Sequence, residues 1–445
     1  MTERSAISFL RTFQEFTRLE AAGGIVLLLA AAGALVWANS PWAQSYDALW
    51  NTPVMIGLGG FGLVKPLVLW VNDGLMAVFF FVVGLEIKRE VLVGELAALR
   101  RAALPAAAAI GGMVVPAAIY LALNLDGPGS HGWGVPMATD IAFAIGVLAL
   151  LGKRVPLGLK VFLTALAIID DLGAVLVIAF FYTASLDVTA LGIGLTIFGA
   201  MALLSVLRVR RVGLYGLLGM ALWVALLKSG VHATVAGVLA ALTIPSTARI
   251  DTSHFRGRVR ALLDRFELLE IDPGTHRLLP EQQEVVYGLA TLVEHVASPL
   301  HRLEHALHPW VTFAIMPIFA LANAGVGFDG SLAQAALHPV TLGVVLGLVV
   351  GKPVGVVGFA WLATAIGVAE LPDGATWRQV AGIGALAGIG FTMSLFIASL
   401  AFGDTPLLDN AKAGILGASV LAGLLGSALL LAAGRPSPGA EARGR

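Results

Sequence analysis

The sequence predicts an all-α polytopic membrane protein of twelve transmembrane helices with one short outer β-hairpin, and three observations carry that expectation. Of the 445 residues, 58% are hydrophobic and 13% are charged, against roughly 25% charged in an ordinary soluble domain. Apolar runs of about 20 residues recur along the chain, each long enough for a ~30 Å hydrocarbon core. Basic residues alternate between sides, with 24 of the 28 Lys and Arg in every second loop. The absence of Cys excludes disulfides and thiolate metal sites. Equal numbers of acidic and basic residues, 28 of each, give no basic surface for nucleic acid. No cofactor motif is present, and no cofactor is expected.

Residues 1–19 form a cytoplasmic amino-terminal segment, in which ISFLRTFQEFTRLE (7–20) has the pattern of an amphipathic surface helix. Spans are expected near 20–38, 67–87, 102–124, 132–152, 157–182, 188–207, 211–227 and 229–245. The first is a retained helix and not a cleaved leader, because eleven spans follow it. Residues 51–65, NTPVMIGLGGFGLVK, read as a two-stranded hairpin about Gly59-Gly60 or as an irregular outer loop. An isolated hairpin is marginal in water, so its edge would pair with a second subunit.

Residues 246–307 are a cytoplasmic helical insertion. Helical periodicity at 259–270 and 280–299 flanks a turn at Asp272-Pro273-Gly274. Six of nine His lie between 254 and 308, and His301, His305 and His308 share one helix face. Surface histidines and a metal site both fit that spacing, but no separate acidic pair supports the metal. Spans near 308–328, 339–364, 379–402 and 408–433 follow, then a cytoplasmic tail at 434–445. Both termini are expected in the cytoplasm.

Charges inside spans cost at least a few kcal/mol each and default to function. Here they are Asp73, Asp140, Asp170, Asp171 and Lys352, with Glu86, Glu90 and His232 near span ends. In ALAIIDDLGAVLVIAF (165–180) two adjacent carboxylates sit in mid-helix, about 100° apart around its axis. Repulsion and desolvation forbid ionising both without a compensating cation, so either protons or a small hard cation must occupy them. Competition at one site is the chemistry of a cation/proton exchanger. Lys352 supplies a counter-charge that metal would displace, or else a static salt bridge. Sequence does not decide which Asp it meets.

Two spans carry breakers. WGVPMATDIAFAIGVLAL (133–150) has Pro136 before Thr139-Asp140, and VAGIGALAGIGFTMSLFIAS (380–399) has four Gly. Interrupted spans point to a transporter site built from half-helix ends. Asp140 suits converging amino ends and Lys352 converging carboxyl ends. The second Gly run also fits close helix packing alone. His232 reads as a helix starter or a group that titrates near neutrality. Glu86, Arg89, Glu90 and Glu304 lie on the inner side, where they form an ordinary charged surface or an acidic funnel for cations.

From about residue 12 to 433 the chain resembles the NhaA family of bacterial sodium/proton antiporters. The matching stretches include VNDGLMAVFFFVVGLEIKRE (71–90), MATDIAFAIGVLALLG (137–152), ALAIIDDLGA (165–174), LKSGVHATVAG (227–237), LEHALHPWV (303–311), GKPVG (351–355) and GIGFTMSLFIASLAFG (388–403). The family is itself a standing example of inverted-repeat transporters. The resemblance implies twelve helices, with spans three to five and ten to twelve as inverted repeats and spans four and eleven unwound where they cross. It implies that Asp170 and Asp171 bind Na+ and protons, that Thr139 and Asp140 sit at the crossing, and that Lys352 partners Asp170. Asp73, Glu86, Arg89, Glu90, His232 and Glu304 fall where the family has residues for pH response or ion access. Residues 51–65 match a hairpin that joins two protomers in the bacterial inner membrane. The insertion 250–298 departs from the family's best-known members, and His301 replaces their basic residue.

The expected function is electrogenic Na+(Li+)/H+ antiport by alternating access, serving sodium and pH homeostasis. Two rivals are a sodium-coupled organic-anion transporter on the same fold and an intramembrane aspartyl hydrolase. The hydrolase needs Asp on separate helices and a GxGD signature, which this chain lacks.

Overall fold

The computed structural model describes residues 3–58, 61–183, 186–247, 252–268, 279–296, 298–327, 336–372 and 374–433. Helix α1 (Glu3–Ala38) merges the expected surface segment with the first span in one continuous helix. A short α2 (Ala43–Trp50) leads into β1 (Pro53–Leu58) and β2 (Phe61–Pro66). Next come α3 (Leu67–Val93) and α4 (Leu99–Asn124), then a 3₁₀ stretch (Pro128–Met137) that breaks before α5 (Ile141–Leu151). After these run α6 (Leu157–Phe181), α7 (Val188–Val206), α8 (Val212–Ser229) and α9 (Val235–Thr243). The insertion holds α10 (Thr252–Glu267) and α11 (Pro280–Val296). The chain continues with α12 (Pro299–Asn323), α13 (Pro339–Ala365), the pair α14 (Trp377–Ala387) and α15 (Phe391–Phe402), and α16 (Pro406–Ala432).

Ten helical segments among the described residues are long and apolar enough to cross a bilayer, and the α14–α15 pair, bent by 45°, makes an eleventh span. The difference from twelve lies at 229–245. There the chain breaks at Gly230 (φ 84°), and only nine helical residues form in α9. At about 1.5 Å per residue such a helix is too short to cross by itself. The span expected from 308 instead begins at Pro299, where the Ser298 hydroxyl accepts from the His301 N–H and Pro sits in the first turn. His301 and His305 are therefore exposed at the start of a span.

The two strands pair antiparallel from Pro53↔Pro66 to Leu58↔Phe61, so 51–65 is a hairpin and not an irregular loop. Its turn at Gly59-Gly60, the turn at Asp272-Pro273-Gly274 and the tail 434–445 lie outside the described residues. The Trp70 indole donates to the Val54 carbonyl (3.0 Å) and fastens the hairpin to α3. Nearby, the Tyr46 hydroxyl donates to the Leu321 and Ala322 carbonyls (2.9 and 3.0 Å) at the end of α12. Burial pushes that phenol up to about 12, which keeps it a neutral donor.

One large core joins α1, α3 to α6 and α12 to α16 around Phe80, Tyr120, Leu163, Phe319 and Phe396. A smaller one unites α7, α8 and α9 with Leu85 of α3. Helices α4 and α13 approach backbone to backbone, since a Cβ on Gly111 or Gly355 would strike the other residue's carbonyl. That contact seats Lys352, on α13, deep inside the large core. Three spans contain one π-turn each: Val71–Leu75 in α3, Val311–Ile315 in α12 and Gly347–Gly351 in α13. Such turns release a carbonyl from the ladder and recur at functional places.

Candidate functional site

The two interrupted spans meet at their breaks. Residues 138–140 separate the 3₁₀ stretch from α5, and 388–390 separate α14 from α15. The Asp140 N–H donates to the Ile389 carbonyl (2.6 Å), tying one break to the other. A Cβ on Gly388 would collide with the Leu348 carbonyl, so glycine lets this break lie directly on the π-turn before Lys352.

Each half-helix end finds a partner. The Asp140 carboxylate caps α5 by accepting from the Phe143 N–H (3.0 Å). Its other oxygen accepts from the Thr392 N–H (3.1 Å) and from the Thr392 hydroxyl at the start of α15. One buried anion thus faces two helix amino ends, where the dipoles are positive. At the carboxyl ends, the Lys352 ammonium donates to the Met137 carbonyl. The Thr139 hydroxyl lies 2.9 Å from the Ala387 carbonyl.

Asp170 of α6 points into this crossing, and Asp171 is within electrostatic reach of Asp170, Asp140 and Glu86. Asp170 Oδ2 accepts from Lys352 Nζ (2.6 Å) and lies 2.7 Å from the Thr139 hydroxyl. Lys352 is 0% exposed and Asp170 1%, so the pair is fully desolvated. Asp171 is 2% exposed. Asp170 Oδ1 and Asp171 Oδ1 are buried without a hydrogen-bond partner among the described residues. Unmet oxygens of this kind are expensive in a membrane interior unless something positive occupies them.

Structure therefore gathers Thr139, Asp140, Asp170, Asp171 and Lys352 into one site and leaves the other expected residues in two separate places. Near the end of α3, Arg89 pairs with Glu304 and with Glu90 (3.0 Å), while Glu90 also accepts from the Glu95 N–H (3.0 Å). Glu86 lies 3.6 Å from the imidazole of His308. A narrow cavity of ≈ 40 Å³ runs from Glu86 and His308 to Asp140 and Thr392. Near the start of α3, Asp73 sits in the π-turn and pairs with Lys65 of the hairpin at 2.6 Å. His232 is half-buried, within electrostatic reach of Asp73 and Lys65. Thr392 was not among the expected residues. Its position directly after a Gly-rich break, where a helix amino end leaves N–H groups in need of acceptors, was the available signal.

Broken helices whose ends converge on buried charge define an ion-coupled secondary transporter rather than an enzyme. The model of the Na+/H+ antiporter 1 family matches residues 14–430, and the chain belongs to that family. A sodium/proton antiporter NhaA of Oleidesulfovibrio alaskensis is 54% identical, covering 95% of this chain and 94% of its own length. A namesake from Koribacter versatilis is 53% identical (94% and 90%), and one from Rhodospirillum rubrum 50% (97% and 100%).

Proposed function

We propose that this protein exchanges Na+, and Li+ as a similarly small hard cation, for protons at the Asp170–Asp171 pair. The observation that carries this reading is the pair of orphaned oxygens, Asp170 Oδ1 and Asp171 Oδ1, on carboxylates only 1% and 2% exposed. Carboxylates there accept either a proton or a cation, and one displaces the other. With Na+ absent, the Lys352 ammonium satisfies ionised Asp170; Na+ arrival displaces it. Thr139 offers a neutral oxygen next to Asp170, and Asp140 holds the two half-helices whose ends shape the site. Asp170 and Asp171 each give up one proton, with Lys352 holding Asp170 between the loss of its proton and the arrival of the ion. Two protons therefore leave per Na+ bound, and exchange moves net charge and responds to the membrane potential.

Alternating access rocks one bundle against the other around this fixed site, in a twelve-span fold of two inverted repeats. In that count, α9 together with its unwound approach is the remaining span. Glu86, Arg89, Glu90 and Glu304 concentrate cations at the cytoplasmic mouth and tie access to internal pH. Asp73 and His232 couple the outer hairpin to the same response. The protein resides in the bacterial inner membrane with both termini in the cytoplasm, serving sodium and pH homeostasis. Titrating purified protein with Na+ at several pH values tests the reading. Proton release that saturates with Na+ is expected, and Na+ uptake without proton release would overturn it.

Two copies associate through β1 and β2. Met55, Ile56 and Val64 are 70%, 58% and 61% exposed on a two-stranded sheet with open edges. Replacing residues 55–64 by Asn-Gly keeps the Val54–Lys65 pair and a two-residue turn. The shortened protein is expected to run as a monomer in light scattering while retaining its fold. A dimer that survives the change would move the interface elsewhere.

A further inference from the structure

We infer that Ser419, on the last span, is a positioning residue for the ion site: its buried hydroxyl fixes the amino end of α15 and, through it, the break against which Thr139 and Asp140 are held. The inference rests on the exchange reading above.

A helix that restarts inside a membrane leaves its first N–H groups without intrahelical acceptors and without water. At the start of α15 two of these groups are met by side chains from other elements. The Thr392 N–H goes to Asp140, and the Phe391 N–H goes to Ser419 Oγ at 3.2 Å. Ser419 is 4% exposed and comes from α16, which supplies no other polar side chain to the crossing among the described residues. In α16 it occupies an otherwise apolar stretch, ILGASVLAGLL (415–425), where the helix itself does not require a hydroxyl.

Removing that acceptor leaves the Phe391 N–H two outlets. It can compete with Thr392 for Asp140, or the segment 388–391 can rewind. Either outcome shifts Ile389, whose carbonyl receives the Asp140 N–H, and Ala387, whose carbonyl lies against the Thr139 hydroxyl. Thr139 in turn lies 2.7 Å from Asp170 Oδ2. The effect of Ser419 therefore reaches the ion through backbone position and falls on ion binding, not on the rate of rocking.

Na+-driven proton movement in proteoliposomes tests this. Ser419→Ala is expected to raise the half-saturating Na+ concentration roughly three- to tenfold, the scale of one net hydrogen bond, with the maximal rate within about twofold of wild type. Ser419→Thr keeps the acceptor and restores wild-type Na+ dependence. Ser419→Cys, a weak acceptor, falls between. Ser399→Ala removes a hydroxyl that bonds only within α15, to the Phe396 carbonyl, and leaves Na+ dependence unchanged. An unaltered Na+ dependence in Ser419→Ala, or equal impairment of the Ala and Thr variants, would overturn the inference. If Ser419→Ala does not fold, the Cys variant must still be weaker than wild type and the Thr variant not.

Hydrogen exchange separates this from failure of the exchange reading. Protection across 388–392 should fall in Ser419→Ala whatever ions the protein carries, and unchanged protection rejects the positioning role. A wild-type protein that moves no protons with Na+ rejects the exchange reading instead.

Discussion

Asp171→Asn is expected to abolish Na+-driven proton movement, by roughly a hundredfold or more, because it removes the one carboxylate of the pair with no fixed counter-charge. Asp170 keeps Lys352 at 2.6 Å and the Thr139 hydroxyl at 2.7 Å. Asp171 has an orphaned buried oxygen and forms no ion pair among the described residues. Asparagine preserves volume and leaves the helix intact, so the loss is of charge and titration alone. The measurement is proton flux in proteoliposomes under an imposed Na+ gradient, with detergent stability as the check on folding. Asp171→Glu, which keeps the charge on a longer stem, should retain exchange at raised half-saturating Na+. Transport by the Asn variant at wild-type rate would remove the pair from the mechanism.

The span pattern, the hairpin and the two breaks were legible because hydrocarbon makes hard demands on sequence. Twenty apolar residues, alternating basic loops, and Gly or Pro within spans each answer a large energetic term. The candidate site was legible for the same reason: Asp170, Asp171 and Lys352 stand out where charge is expensive. Which Asp meets Lys352 was not legible, because residues one apart on a helix differ only in direction and the distant span decides. Ser419 was hidden as well. A hydroxyl in an apolar helix ordinarily bonds back to its own carbonyls, and only the fold shows that this one serves a neighbour's helix end. The π-turns left no trace, since one extra residue in a turn leaves the apolar content unchanged. At 229–245 hydropathy overstated the helix, because apolar residues unwound at Gly230 score the same as helical ones.

Lys352→Met separates a working counter-charge from a static bridge. The ammonium and Asp170 are both essentially unexposed, so deleting one leaves the other desolvated and alone, at about 3–5 kcal/mol. A marked fall in melting temperature is expected. In an Asp170→Asn background the same substitution should do much less harm, because no buried charge is then stranded. Sodium supplies the deciding arm. In the wild type an arriving ion must break the ammonium's bond to Asp170, which offsets part of its binding. In Lys352→Met the ion meets a carboxylate with no competing cation and replaces the missing charge. Added Na+ should therefore stabilise Lys352→Met against heat more than it stabilises wild type, through the ordinary linkage between binding and folding. Equal stabilisation of both would mean that ion and ammonium do not contend for Asp170, leaving Lys352 as a fixed strut between α13 and α6 and Asp171 alone to carry the exchange.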